Sequence, residues 1–326
     1  MMKYSKKKLV TAAIAALAVA LAAFAAWRLA PMSAASMRGS ALIVEQSAWH
    51  EISIDGKPRL YFSASMGDSV LLGVTANRDS AAHHKRVAGC WIDRWTLLPS
   101  CGGRVATVYC PAPRTPALRG DSAIVRLCRQ SIATQLKTLK TQKSELDYYL
   151  RVHGVQDNGY QTIAALAGRI TKAYDDVARA GHLLDSLTSG GRHRLAVKSV
   201  TEYVAISHGS DGKPRRTPLL PLSADRKGGT MLLRAADGTT PDGACPLSPM
   251  PWGKKAERDI RAVGFPGLGE EGLECDTVAP IIVPGHKLRG TRHDIPRVLA
   301  ADGAPVFTAK GRFIGIINGN SIALYK

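Results

Sequence analysis

The hydrophobic pattern divides the chain into three textures. The first is a single apolar run, Leu9 to Trp27, with no charge inside it and lysines (Lys3, Lys6, Lys7, Lys8) before it. The second is a set of short apolar stretches separated by turn residues: 41–44, 59–62, 70–74, 88–93 followed by 95–98, and 104–109, with Asp55-Gly56 marking one of the turns. Such spacing predicts short strands and a small barrel. The third begins at Asp121. Ile124, Leu127, Ile132, Leu136, Leu139, Leu146 and Leu150 recur at helical spacing, then Ile163, Leu166, Ile170, Tyr174, Val177, Leu184 and Leu187 do the same after a Gly/Asp/Asn break at 153–159. Two amphipathic helices joined by so short a link predict an antiparallel hairpin. Beyond Arg194 the strand pattern returns, at 195–200, 202–207, 231–234, 261–265, 281–283, 306–307, 312–317 and 321–325.

The N-terminal run is of spanning length, since a membrane helix needs roughly twenty apolar residues. Residues 9–27 are therefore read as a signal anchor, with 31–40 as a linker. The flanking lysines stay cytoplasmic and the remainder is exported, to the periplasm or the outside. A small-residue motif at Ala23-Phe24-Ala25, or one near Ser33-Ala34-Ala35, leaves a cleaved and secreted form open. Composition adds a formal charge of +18 over 326 residues. That charge suits either Lys and Arg that simply decorate solvated faces or an anionic neighbour such as phospholipid or envelope glycan, while the lack of basic runs interleaved with aromatics argues against nucleic acid. Six cysteines (90, 101, 110, 128, 245 and 275) allow up to three disulfides in an exported chain. One pairing is expected between Cys245 and Cys275 and others among the first four. No Cys/His spacing suits zinc, and no metal or cofactor is expected.

The chemistry-bearing stretch lies near the C-terminus, where Ala301-Asp302-Gly303-Ala304-Pro305 leads into an apolar strand, a Lys310-Gly311 turn and a second strand through Ile317. It resembles the nucleophile segment of trypsin-like serine proteases, with Gly303, Pro305, Gly311, Gly315 and Ile316 matching that pattern. Ala262-Val263-Gly264-Phe265-Pro266-Gly267 is similar to the strand and turn that precede this segment in bacterial members. A weaker likeness covers Gly89, Ile92, Trp95 and Leu97. The resemblance implies two β-barrels, here expected over 41–118 and 191–326, with the helical hairpin (119–190) between them as a departure from the family.

It also implies where the catalytic groups should fall. The nucleophile position reads Asp302 and the base position reads Cys101. Asp121, in Asp121-Ser122-Ala123-Ile124, is similar to the family's orienting Asp and is equally a helix N-cap candidate. Neither a nucleophilic hydroxyl nor an imidazole occupies its place, and acyl transfer needs both. The elbow (Asp302, Gly303, Ala304, Pro305) is expected to keep its backbone shape, with Asp302 bonding donors of its own turn. Compensating pairs could come from His50, His83, His84, His208, His286 or His293, and His293, Asp294 and Asp302 could form a carboxylate–imidazole site for metal or acid–base work, although no helical or strand spacing enforces their convergence. The reading is a degenerate protease acting as a binding or scaffold protein through the helical hairpin or the inter-barrel cleft. Its rivals are an active serine endopeptidase and a structural envelope protein with a basic surface.

Overall fold

The computed structural model describes residues 11, 14–20, 23, 31–67, 69–93, 102–118, 120–189, 193–209, 211–248, 258–268 and 278–323. The expected membrane run 9–27 falls mostly outside them, as do Trp95, Leu97, Cys101 and Cys275. Among the described residues no helix is long and apolar enough to cross a membrane. The chain divides into one compact unit of residues 1–45, 86–109 and 204–326, and a second of 46–85 and 110–203.

The first unit is built on two sheets. Strands β1 (Ala41–Ile54), β5 (His83–Ile92), β6 (Arg104–Val108), β9 (Thr230–Ala235), β8 (Pro214–Asp225) and β7 (Leu195–His208) are hydrogen-bonded in that order, and β7 returns to β1. A six-stranded barrel closed in this way leaves no free edge. Its wall is tight at Gly89, where a Cβ would lie 3.0 Å from Val44 and 3.1 Å from the Ala106 carbonyl. Around the barrel Glu45 is buried and held by Arg86 at 2.7 Å and by Arg216.

The second sheet has the order β11 (Ile281–His286), β10 (Asp259–Gly264), β12 (Pro305–Thr308), β13 (Phe313–Asn318), β14 (Ser321–Ala323). Its two edges are joined by residues 287–293. Lys287 bridges His293, Arg292 bridges Ser321, and the Ile322 N–H bonds the Thr291 carbonyl at 2.8 Å. The short helix α1 (Ala34–Ser40) packs on β11, burying Met37 and Ser40.

The second unit holds β2 (Lys57–Phe62), paired with β1 across the Asp55-Gly56 turn, the hairpin β3–β4 (Ala64–Met66, Val70–Leu72) and the one-turn helix α2 (Arg78–Ala81). It also holds the long helices α3 (Asp121–Val152) and α4 (Tyr160–Ser189). Asp55 and Gly56 both take positive φ (51° and 82°), as a tight hairpin turn requires. The apolar stripe read from the sequence is what this unit buries: Ile124, Leu127, Ile132, Val177 and Leu184 pack with Ile52, Leu60, Phe62 and Leu71.

Three expectations change. The helical hairpin is not placed between two barrels in the chain, because β7, β8 and β9 follow it and complete the first barrel. The physical reason is the hairpin itself, which returns the chain to its starting point: the Asp121 carboxylate accepts the Leu195 N–H at 3.1 Å. Residues 195–208 form one strand where two short ones were expected, and β8 was not expected at all. Nor, among the described residues, do two of the first four cysteines pair as expected. Cys90 and Cys128 are free thiols, buried in the barrel wall and in the helical core, and burial pushes the Cys128 thiol up to about 12 and that of Cys90 up as well. Cys245 is also a free thiol, and its expected partner Cys275 lies outside the described residues.

Candidate functional site

The elbow is shaped by backbone contacts. At Gly303 φ is +92°, and a Cβ there would come within 1.8 Å of the Ala88 carbonyl oxygen, so only glycine fits. The Ala88 N–H in turn donates to the Asp302 carbonyl at 2.9 Å, which ties the turn to β5. Behind the elbow, Gly264 leaves room for the Leu299 carbonyl, which would lie 2.2 Å from a Cβ. Both glycines belong to the segments that carried the resemblance. Ala304, Pro305, Val306 and Phe307 are buried as the chain enters β12.

Four amides around the turn donate to protein carbonyls. Gly303 N–H donates to Ile317 at 2.8 Å, Ala304 N–H to Ala301 at 3.1 Å, and the Leu299 and Ala300 N–H groups to Pro296, each at 3.1 Å. An oxyanion hole requires amides aimed at the place where charge develops in the transition state. These four point elsewhere.

Asp302 sits at the apex with its side chain 29% exposed. Oδ2 receives the Arg297 guanidinium at 2.7 Å and Oδ1 the Gly319 N–H at 2.9 Å. Its partners therefore come from the preceding turn and from the end of β13, whereas donors of its own elbow were expected. A carboxylate bonded on both oxygens, one of them by a cation, is a poor nucleophile and a good structural staple.

His293, one of the compensating candidates, lies in the segment that joins the sheet edges and is 6% exposed. Its Nδ1 accepts the Ile295 N–H at 3.2 Å, so the neutral ring carries its proton on Nε2. Nε2 is buried and has no hydrogen-bond partner among the described residues. Burial lowers the His293 pKa, while the Gly319 backbone and the charges of Asp294 and Asp302 act in the opposite direction. In this tautomer the ring presents a proton to its surroundings, and a general base must present a lone pair.

Asp294 is engaged with His286, accepting its N–H and, at 2.9 Å, its Nδ1; these bonds hold the Asp294 carboxyl below its ordinary value. Among the described residues no group of three or more His, Cys, Asp or Glu side chains could hold a metal ion. His208 stacks on Phe265 with ring centroids 6.4 Å apart.

In the second unit Asp121 is the first residue of α3, and Gly120 at φ +87° occupies the cap position without a side-chain bond. The Asp121 carboxylate serves Leu195 rather than the start of its own helix. Two serine–imidazole contacts occur there, His50 Nδ1 to Ser199 Oγ at 2.8 Å and His84 Nδ1 to Ser47 Oγ at 2.9 Å. Among the described residues neither imidazole is bonded to a carboxylate that would orient it, as a triad requires. These contacts were not visible in the sequence, where 149 and 37 residues separate the partners.

No family model matches this chain, and no curated protein matches it by sequence. Among solved structures, one similar chain is Deg5, at 9% identity over 83% of this chain and 77% of that one, with a TM-score of 0.32. Another is the protease domain of MamO from Magnetospirillum magneticum in its apo form, at 14% identity over 37% of this chain and 68% of that one, with a TM-score of 0.27.

Proposed function

We propose that the chain is a trypsin-like pseudoprotease, anchored in a membrane by residues 9–27 and exported, that serves as a binding or scaffold protein in the cell envelope. The observation that carries the reading is the state of Asp302. It stands where the resemblance puts the attacking hydroxyl, and it is bonded through both carboxylate oxygens while the Gly303 and Ala304 amides serve protein carbonyls. A closed six-stranded barrel, and a second sheet whose edges meet through residues 287–293, support the two-barrel frame. The anchor is supported by helical residues 14–20, which leave Ile14, Leu17 and Val19 exposed at 62–69%. The helical hairpin supplies a partner surface at its tip, where Tyr148, Val152 and Val155 are each more than half exposed.

Restoring the hydroxyl tests this reading. Asp302→Ser meets a cysteine, Cys101, at the position where the resemblance puts the base, and His293 offers a proton rather than a lone pair, so the variant should cleave no member of a mixed peptide library above buffer background. Hydrolysis by the variant, or by the unmodified chain, would return the protein to the active endopeptidases.

A further inference from the structure

The turn that follows β11 carries Lys287, Leu288, Arg289, Gly290, Thr291 and Arg292. It is a tight, hydrogen-bonded loop: the Leu288 N–H donates to Arg292 at 2.8 Å and the Arg292 N–H to Arg289 at 3.4 Å, with Gly290 at φ +71°. The Lys287 N–H bonds the Arg258 carbonyl at 2.7 Å, which brings a fourth cationic residue alongside. Arg258, Arg289 and Arg292 are exposed, and Leu288 stands among them 49% exposed.

None of these four cations has an ion pair among the described residues. The neighbouring carboxylates turn to His286 instead: Asp294 at 2.9 Å, and Asp259 within 3.8 Å of Nε2. An exposed leucine alone means little. An exposed leucine in a turn flanked by exposed cations is the arrangement of an interfacial anchor, with the cations at headgroup level and the apolar side chain at the acyl boundary.

A second observation selects the surface. The chain leaving the apolar run docks on the same sheet: the Met32 N–H bonds the Gly311 carbonyl at 3.1 Å, and α1 packs on β11, the strand that leads into this turn. We propose that residues 287–292 rest on an anionic phospholipid surface, with Arg258, Lys287, Arg289 and Arg292 among the headgroups and Leu288 at the acyl boundary. This rests on the membrane-anchor reading above.

The test uses the full chain in vesicles carrying bromo-acyl lipid, made either from phosphatidylcholine alone or from phosphatidylcholine with phosphatidylglycerol. Leu288→Trp adds an indole at the turn, and its quenching is taken as the excess over the unmodified chain. Excess quenching is expected with phosphatidylglycerol and not without it. It should fall with added salt, and with K287Q, R289Q and R292Q together, as each basic residue near such a surface contributes roughly fivefold to binding. Equal quenching in the two vesicle types, or none in either, overturns the proposal. So does retention on immobilised acidic glycan or RNA without lipid quenching. A subsequent alkaline wash tests the anchor separately: loss of the chain from the vesicles defeats the anchor, while the quenching recorded beforehand still decides the turn.

Discussion

The elbow at 301–305 and the helical hairpin at 121–189 are specified in opposite ways. The elbow depends on atoms that are missing. At Gly303 and Gly264 a single added carbon would strike backbone oxygen at 1.8 and 2.2 Å, so its shape is dictated by close backbone packing. The hairpin depends on atoms that are present, a stripe of Leu, Ile and Val closing on Phe62 and Leu71. The difference teaches that the shape of the elbow does not depend on the side chain at its apex. Gly303 also lets the turn lie against β5 at Ala88, and Gly264 lets the preceding chain lie against β10, so the shape carries a structural constraint of its own while the Asp302 side chain bonds outside the turn.

The sharpest break of this contrast is Gly303→Ala. The contact at 1.8 Å and the positive φ should together cost about 3 kcal/mol or more, read as loss of folded protein or a large fall in urea midpoint. A cost below about 1 kcal/mol would show that the elbow is not packed as described. Next in size is Leu184→Ala in the hairpin, 1% exposed, at about 3 kcal/mol with room for partial relaxation around the cavity. Tyr148→Ala at the tip should lie within about 0.5 kcal/mol. An equal loss at both sites would mean that the tip is not a free surface.

Asp302→Ala comes third, at about 1–2 kcal/mol. It strands the Gly319 N–H and removes a partner from Arg297, the latter contact being discounted for its exposure. If urea unfolding showed Asp302→Ala to be neutral or stabilising, the carboxylate would not be a staple.

The smallest effect is with pH and touches both units. Burial holds the imidazoles of His50 and His293 below their ordinary value near 6.5. The unfolded chain then binds more protons in the interval between the two values. Their contribution to stability is therefore complete above about pH 6.5 and is lost as pH falls from there toward the folded values. Urea midpoints should decline modestly from about pH 7.5 to about pH 5.5, and His293→Gln should flatten part of that slope. A midpoint that rises on acidification would contradict the burial argument.

Much of this frame was legible in the sequence. Period-3.6 apolar residues announced α3 and α4, whose single stripe each buries, and Lys310-Gly311 announced the β12–β13 turn. Strand β8 was hidden because Pro214, Pro218 and Pro221 speak against a strand and almost every residue in it is exposed, so no alternation survives. The return of β7 to the first barrel was hidden as well, since strand pairing across a seventy-residue insertion leaves no local mark. At the site, the place of Asp302 was readable from the surrounding glycines and proline. Its partners Arg297 and Gly319 were not, because they come from turns whose proximity only the closed sheet creates.

The account stands or falls on whether any serine in the folded chain is activated. Incubation of the full-length protein with a fluorophosphonate probe, read by intact mass beside trypsin as the positive control, measures this directly. The expected result is an unmodified chain under conditions that label trypsin to completion. A single covalent adduct on one serine, Ser199 beside His50 or Ser47 beside His84 above all, would show that the molecule still carries a working nucleophile.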